Sequence, residues 1–169
     1  LIENEKIDHK ILYGSWAGAL GNFQFMPSSI LKYGIDYDND GLIDLKKSNY
    51  DSIASAANYI NKMGWNYKGQ CFNEVNFTKK VNKEFFNHSA RNIHNKEKIK
   101  KWIKKGIVRK DLKEFNDKSD IAALVLPDGD LNSPKYLVYD NYYKILKWNR
   151  SLRFALSVCT LAKAIRNEI

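Results

Sequence analysis

Helical periodicity is clearest in two stretches of the chain. Ile53, Ala56, Ala57, Ile60 and Met63 recur at three- and four-residue steps. They predict a helix that Asp51 can cap and Gly64 ends. Leu152, Ala155, Leu156, Cys159 and Ala162 follow the same period and predict a last helix over about 151–167 with those side chains inward. A short helix fits Pro27–Tyr33, with proline at its first position and Gly34 behind it. Ile99, Trp102 and Ile103 mark an amphipathic helix over about 96–105, closed by Gly106. Ile121–Leu126 and Lys135–Tyr139 read as strands, separated by the turn residues Pro127-Asp128-Gly129-Asp130 and Asn132-Ser133-Pro134, and Cys71–Phe77 is compatible with an extended run. Residues 1–10 read as the tail of a helix, and no internal repeat is visible. The pattern predicts a mostly α protein with a small strand-containing insertion.

Composition narrows this picture without changing it. A chain of 169 residues, 44% apolar and 28% charged, can bury a real core. No apolar run approaches the ~20 residues of a membrane span. The net charge of +9 gathers in the middle, from Lys79, Lys80 and Lys83 through Lys96–Lys105 to Arg109 and Lys110. No nucleic-acid-binding motif accompanies it, so a solvated lysine-rich face is the better reading and nucleic acid is not expected as a partner. Attraction to carboxylate-bearing peptides would use the same charge. Two cysteines are too few for a disulfide scaffold. Cys159, among Leu156, Val158, Leu161 and Ala162, reads by default as a buried free thiol, with a Cys71–Cys159 bridge as the alternative. His9, His88 and His94 show no ligand spacing.

Two segments carry candidate chemistry. Asp36, Asp38 and Asp40 fall at positions 1, 3 and 5 of an EF-hand-type calcium loop, with Gly41 at the sharp-turn position. Leu42 would offer its carbonyl oxygen, Asp44 could act through a water, and Ile43 would point to the core. Lys47 stands where the closing Glu belongs. The competing reading is an ordinary acidic turn, and the alternating carboxylates with glycine in register favour calcium over it. A calcium sensor is a poorer fit, because the chain has one such loop and two methionines. The second segment runs Gly14-Ser15-Trp16-Ala17-Gly18-Ala19-Leu20-Gly21-Asn22-Phe23-Gln24-Phe25-Met26-Pro27-Ser28-Ser29. Small residues there permit close backbone approach, while aromatics interleaved with Ser15, Asn22 and Gln24 suit a sugar as well as they suit a tightly packed turn.

That second segment resembles the lytic transglycosylase B branch of the murein-cleaving enzymes, whose pattern G-S-[YFW]-A-G-A-[ML]-G-x-x-Q-F-M-P-[ST]-[ST] it matches throughout. The acidic loop follows in order, then Ala57-Asn58-Tyr59, Gly64-Trp65 and, near the end, Trp148-Asn149-Arg150-Ser151. The resemblance is strong over residues 13–65 and loose over 121–165. It implies a lysozyme-like helical core with an EF-hand-like loop and a small strand insertion. Residues 1–72 would hold part of that core, 73–140 a lysine-rich insertion, and 141–169 a segment returning to the core.

The resemblance also implies the reaction: cleavage of the MurNAc-β-1,4-GlcNAc bond of peptidoglycan with closure of a 1,6-anhydro sugar, in the periplasm or cell envelope. Substrate contacts carried over by motif are Ser15, Gln24, Tyr59, Trp148, Asn149 and Phe154. Trp148 and Phe154 stand where tyrosine is common, so they keep the ring and lose the phenol. The loop would be closed by Asp51, giving a structural Ca²⁺ held by Asp36, Asp38, Asp40, Leu42 and Asp51, with no organic cofactor. The family's catalytic glutamate sits before the Gly-Ser motif in a Glu-[ST]-x-[WY]-Gly setting. Glu3 and Glu5 lack that setting, so the glutamate is expected upstream of Leu1. The expected partners are therefore peptidoglycan glycan strands and a further N-terminal segment. The alternative is a peptidoglycan-binding remnant that keeps the calcium site without the chemistry.

Overall fold

The structure, a computed structural model, describes residues 13–168, with side chains through Arg166. The helix tail expected over residues 1–10 lies outside the described residues. The chain divides into two compact units, one ending at Trp65 and the other beginning at Asn66.

The first unit contains helices α1 (Pro27–Tyr33) and α2 (Asn49–Lys62). Before them, Leu20 and Phe25 exchange backbone hydrogen bonds of 2.8 Å each way, which closes a tight hairpin. α1 begins at Pro27, as the sequence predicts, and Gly34 N–H donates to Ile30 O at its end. α2 ends at Gly64, whose φ of 84° is the left-handed geometry that glycine adopts most easily. The N-cap of α2 is Ser48 rather than Asp51: its hydroxyl accepts from Asp51 N–H at 3.2 Å.

The face that α2 buries also differs from the apolar pattern. Ser52, Ser55 and Tyr59 are buried, whereas Ile53 is 61% exposed. The reason is the loop packed on the helix. Ser52 Oγ donates to Leu45 O at 2.8 Å, and Ser55 Oγ accepts from Ile35 N–H at 2.9 Å. Those backbone groups need polar partners that isoleucine cannot supply.

The second unit corrects the expected fold class. Its strands are not a small insertion but a curled five-stranded antiparallel sheet, so the protein is not mostly α. The strands are β1 (Phe72–Phe77), β2 (Glu97–Lys98), β3 (Ile107–Arg109), β4 (Ile121–Val125) and β5 (Lys135–Val138), in the order β2-β4-β5-β1-β3. β5 is central, and β1 beside it is interior too, pairing Phe72 with Val138 of β5 on one side and Phe77 with Ile107 of β3 on the other. α3 (Ile99–Lys104) starts later than its pattern suggests because Glu97 and Lys98 pair with Ala122 and Ile121.

Val75, Ile99, Trp102, Ile107, Leu124, Leu126 and Leu137 form the fully buried core of this unit. The Trp102 indole N–H reaches Ala122 O at 2.9 Å. Two buried amides pin its loops. Asn87 Nδ2 donates to Leu124 O at 2.8 Å and to His94 O at 3.1 Å. Asn141 Nδ2 donates to Asn66 O and Gly69 O at 2.8 and 2.9 Å, and its Oδ1 accepts from Asn66 N–H. Each replaces a backbone partner the loop would otherwise lack.

α4 (Asp140–Trp148) and α5 (Leu152–Glu168) complete the unit, joined by a 2.8 Å bond from the Tyr142 hydroxyl to Leu152 O. On α5, Leu152, Ala155 and Cys159 are buried, as the period predicts. Cys159 is not a free thiol: it is bonded to Cys71, with the Cα atoms 5.9 Å apart. The disulfide ties α5 to the residue preceding β1 across 88 positions of sequence.

Candidate functional site

The Gly14–Ser29 segment is built as two consecutive turns. Ser15 N–H donates to Ala19 O at 2.8 Å, and Ser15 Oγ accepts from Ala19 N–H at 3.2 Å. In the hairpin that follows, Gly21 has φ 72° and a Cβ there would sit 2.4 Å from Leu45 O, so both its conformation and its surroundings demand glycine. Asn22 N–H donates to Leu45 O at 2.8 Å, and Asn22 Nδ2 to Ser52 Oγ at 3.3 Å. The hairpin is thereby fastened to the loop before α2 and to α2 itself. Gln24 holds φ 54°, and its Nε2 donates to Gly21 O at 3.0 Å.

The result is an exposed platform bearing Ser15, Trp16, Phe23 and Gln24 above the buried Leu20 and Phe25. Tyr59 lies beneath it. Its ring meets Phe25 edge-on at 5.9 Å and Tyr33 at 4.8 Å. Burial first, and Tyr33 second, raise the Tyr59 phenol above its ordinary value, so it stays neutral and able to donate. Of the residues carried over by motif, Ser15, Gln24 and Tyr59 belong to this unit. Trp148, Asn149 and Phe154 belong to the other, around the α4–α5 turn. There Asn149 N–H donates to Ile145 O at 3.0 Å, and Phe154, 39% exposed, donates its N–H to Ser151 Oγ.

The acidic loop gathers Asp36, Asp38 and Asp51, each with a carboxylate oxygen within 4.8 Å of the others. Asp51 is 1% exposed, and its oxygens accept from Tyr37 N–H at 2.8 Å and Asp44 N–H at 2.9 Å. Asp36 Oδ2 accepts from Gly41 N–H at 3.0 Å, while its Oδ1 is buried with no hydrogen-bond partner. A buried carboxylate oxygen without a donor is costly, and a cation facing it would remove that cost. The donor set is all oxygen, as a hard cation requires. Asp40 lies outside this cluster, with its Oδ1 accepting from Leu42 N–H at 2.8 Å. Ser48, which sequence reasoning passed over, bonds Asp38 Oδ2 at 3.1 Å while capping α2. Its signal was legible: a serine three residues before an acid is the capping-box spacing.

The sequence profile of the transglycosylase SLT-domain family matches residues 1–163. The chain belongs to that family, in its lytic transglycosylase B branch. Membrane-bound lytic murein transglycosylase B of Escherichia coli K12 is 45% identical over 65 residues, spanning 38% of this chain and 18% of that protein. SltB3 of Pseudomonas aeruginosa, solved with NAG-NAM-pentapeptide, is 29% identical with a TM-score of 0.85, over 98% of this chain and 43% of SltB3. Slt35 of E. coli, solved with calcium, is 29% identical with a TM-score of 0.69, over 93% of this chain and 47% of that one. The chain thus spans about half the length, or less, of the relatives it matches. Among the described residues, no helix is long and apolar enough to cross a membrane.

Proposed function

We propose that this chain forms part of a murein lytic transglycosylase, supplying sugar contacts and an ion-stiffened scaffold for cleaving the MurNAc-β-1,4-GlcNAc bond. The observation that carries this reading is the agreement with SltB3, solved with NAG-NAM-pentapeptide and with NAG-anhNAM-pentapeptide, at TM-scores of 0.85 and 0.84 over 98% of this chain. An anhydro product means that an internal hydroxyl replaces water. A glutamic acid gives its proton to the leaving GlcNAc oxygen as the bond from C1 breaks. The carboxylate then takes the proton of the muramic C6 hydroxyl as that oxygen bonds C1. The proton balance closes with one carboxyl group and no second carboxylate.

In this reading Ser15 and Gln24 present polar groups to the sugar rim, and Asn149 adds an amide. Trp148 and Phe154 offer ring faces. Tyr59, kept neutral by burial, orients the glutamate or an acetamido group. None of Glu3, Glu5, Glu74, Glu84, Glu97, Glu114 and Glu168 stands in a Glu-[ST]-x-[WY]-Gly setting, so the acid/base belongs to a segment upstream of Leu1. Asp36, Asp38 and Asp51, with the Leu42 carbonyl as a further oxygen, hold one Ca²⁺, which cross-links the loop to the first turn of α2 and takes no part in the reaction; Asp40, expected from the loop spacing, stands outside that cluster. The orphaned Asp36 oxygen supports that assignment. The cell envelope is the expected location, in keeping with the membrane-bound E. coli relative.

Purified murein sacculi test the reading. The chain alone is expected to bind sacculi and release no 1,6-anhydromuropeptides by mass spectrometry. Release of anhydro products would overturn the upstream-glutamate assignment. Ser15→Ala, Gln24→Ala and Tyr59→Phe should each lower retention on sacculi, and unchanged retention in all three would remove those residues from the site.

A further inference from the structure

The lysine-rich stretch is not uniformly solvated. Lys101 and Lys105 pair with Glu97, Lys110 with Glu74 and Lys118 with Glu114. Among the described residues, Lys79, Lys80 and Lys83 form no ion pair. These three line a cleft of about 560 Å³ between the segment that follows β1 and the turn at Leu131. Its apolar lining is Phe77, Val81, Phe86 and Leu131, and no carboxylate lines it.

Phe77 and Phe86 stack at 5.9 Å with their planes 20° apart, and Val81 and Phe86 are buried, which makes the floor firm. Lys79 is held at its stem, since Gly106 leaves room for it: a Cβ on Gly106 would approach Lys79 Cβ to 2.9 Å. Lys135 adds a fixed cation over Phe77, 5.4 Å from the ring centre, with its ammonium donating to Leu131 O at 2.7 Å and Ser133 O at 3.1 Å.

We propose that this cleft is an accessory site for an acidic peptide, whose carboxylates meet Lys79, Lys80 and Lys83 while an aliphatic side chain rests on Phe77 and Leu131. Cations of one sign around a low-dielectric floor concentrate anions there. A free anion would leave that floor wet, so a ligand carrying both charge and hydrocarbon gains from both parts. A nucleic-acid base is a poorer fit, because the two phenylalanines already stack on each other and Phe86 is only 9% exposed. The site uses no residue assigned to the glycan and stands independently of the murein reading.

The test is an amide NMR titration of the whole chain with acetyl-Leu-Glu-Glu and with the same peptide amidated at every carboxyl. Saturating shifts confined to residues 78–86 and 131 are expected for the acidic form, weakening as salt rises. The amidated form should shift nothing there. Changing Lys79, Lys80 and Lys83 together to Glu should weaken binding at least tenfold with the core amides unmoved, and Leu131→Ala should weaken it severalfold. Equal binding of the amidated peptide would overturn the proposal. So would inorganic phosphate that matches the peptide's affinity, or an oligothymidylate that binds the cleft more tightly than the peptide does.

Discussion

The two units are held together by different means. The sheet-bearing unit packs a core in which Val75, Ile99, Trp102, Ile107 and Leu137, among others, are at most 1% exposed, and adds a disulfide. The hairpin unit buries few large apolar groups and relies on side chains that bond backbone: Ser52 on Leu45, Ser55 on Ile35, Asp51 on Tyr37 and Asp44. Its loops are fixed by polar groups that fit one geometry, which is what a site needs and a core does not. Its stability therefore depends on each bond being made, whereas the sheet unit depends on volume being filled.

Trp102→Ala should produce the largest loss. The indole is fully buried and its N–H is bonded to Ala122 O, so truncation leaves a large cavity and removes that bond. A loss of about 3–5 kcal/mol is expected in chemical denaturation. A loss below about 1 kcal/mol would mean that the sheet core is loosely packed, and the contrast between the units would fail.

This contrast also explains what the sequence revealed. Strands β4 and β5 were legible because Ile121–Leu126 and Lys135–Tyr139 are long enough to carry a pattern. β2 and β3 were not: two and three residues carry no period, and they are strands only because Ala122 and Val75 lie opposite them. With two of its five strands too short to show a pattern, the sheet reads in the sequence as a minor insertion. In the hairpin unit the reverse holds. The Gly-Ser motif is specific because Gly14 and Gly21 have no room for a side chain, and Gly21 and Gln24 hold a left-handed backbone that most residues rarely adopt. The phase of α2 is hidden in the sequence because its buried face is built from Asp51, Ser52 and Ser55 beside Tyr59. The Cys159 pairing was hidden because a thiol and a half-disulfide occupy the same apolar helix position.

The disulfide gives the next largest effect. Cys159→Ser should cost about 2–5 kcal/mol, since the bond closes a long loop. Thiol titration of the unfolded, unreduced protein should find no free sulfhydryl. Two reactive thiols per chain would restore the free-thiol reading.

Calcium tests the other side of the comparison. An ion bound only by the folded loop should add about 2.7 kcal/mol at a hundred times its dissociation constant, and magnesium less. Thermal melts in calcium and in chelator should therefore differ, and Asp36→Asn should abolish the difference by weakening the oxygen that lacks a donor. Equal melting in calcium and chelator would leave an acidic turn held by its own amides.

The smallest effect is the sharpest discriminator between the apolar pattern and the structure. Ile53 stands first in the helical repeat of α2, yet it is 61% exposed, so Ile53→Asn should change stability by no more than about 0.5 kcal/mol. Ser52 is polar, one residue away and 1% exposed. Ser52→Ala would leave Leu45 O with the Asn22 N–H as its one remaining donor among those described and remove the acceptor for Asn22 Nδ2, at a cost of about 0.5–1.5 kcal/mol. Urea denaturation of the two variants gives the order directly. If Ile53→Asn proved the more damaging, α2 would pack by its apolar stripe, and the serine contacts that fasten the hairpin would be incidental.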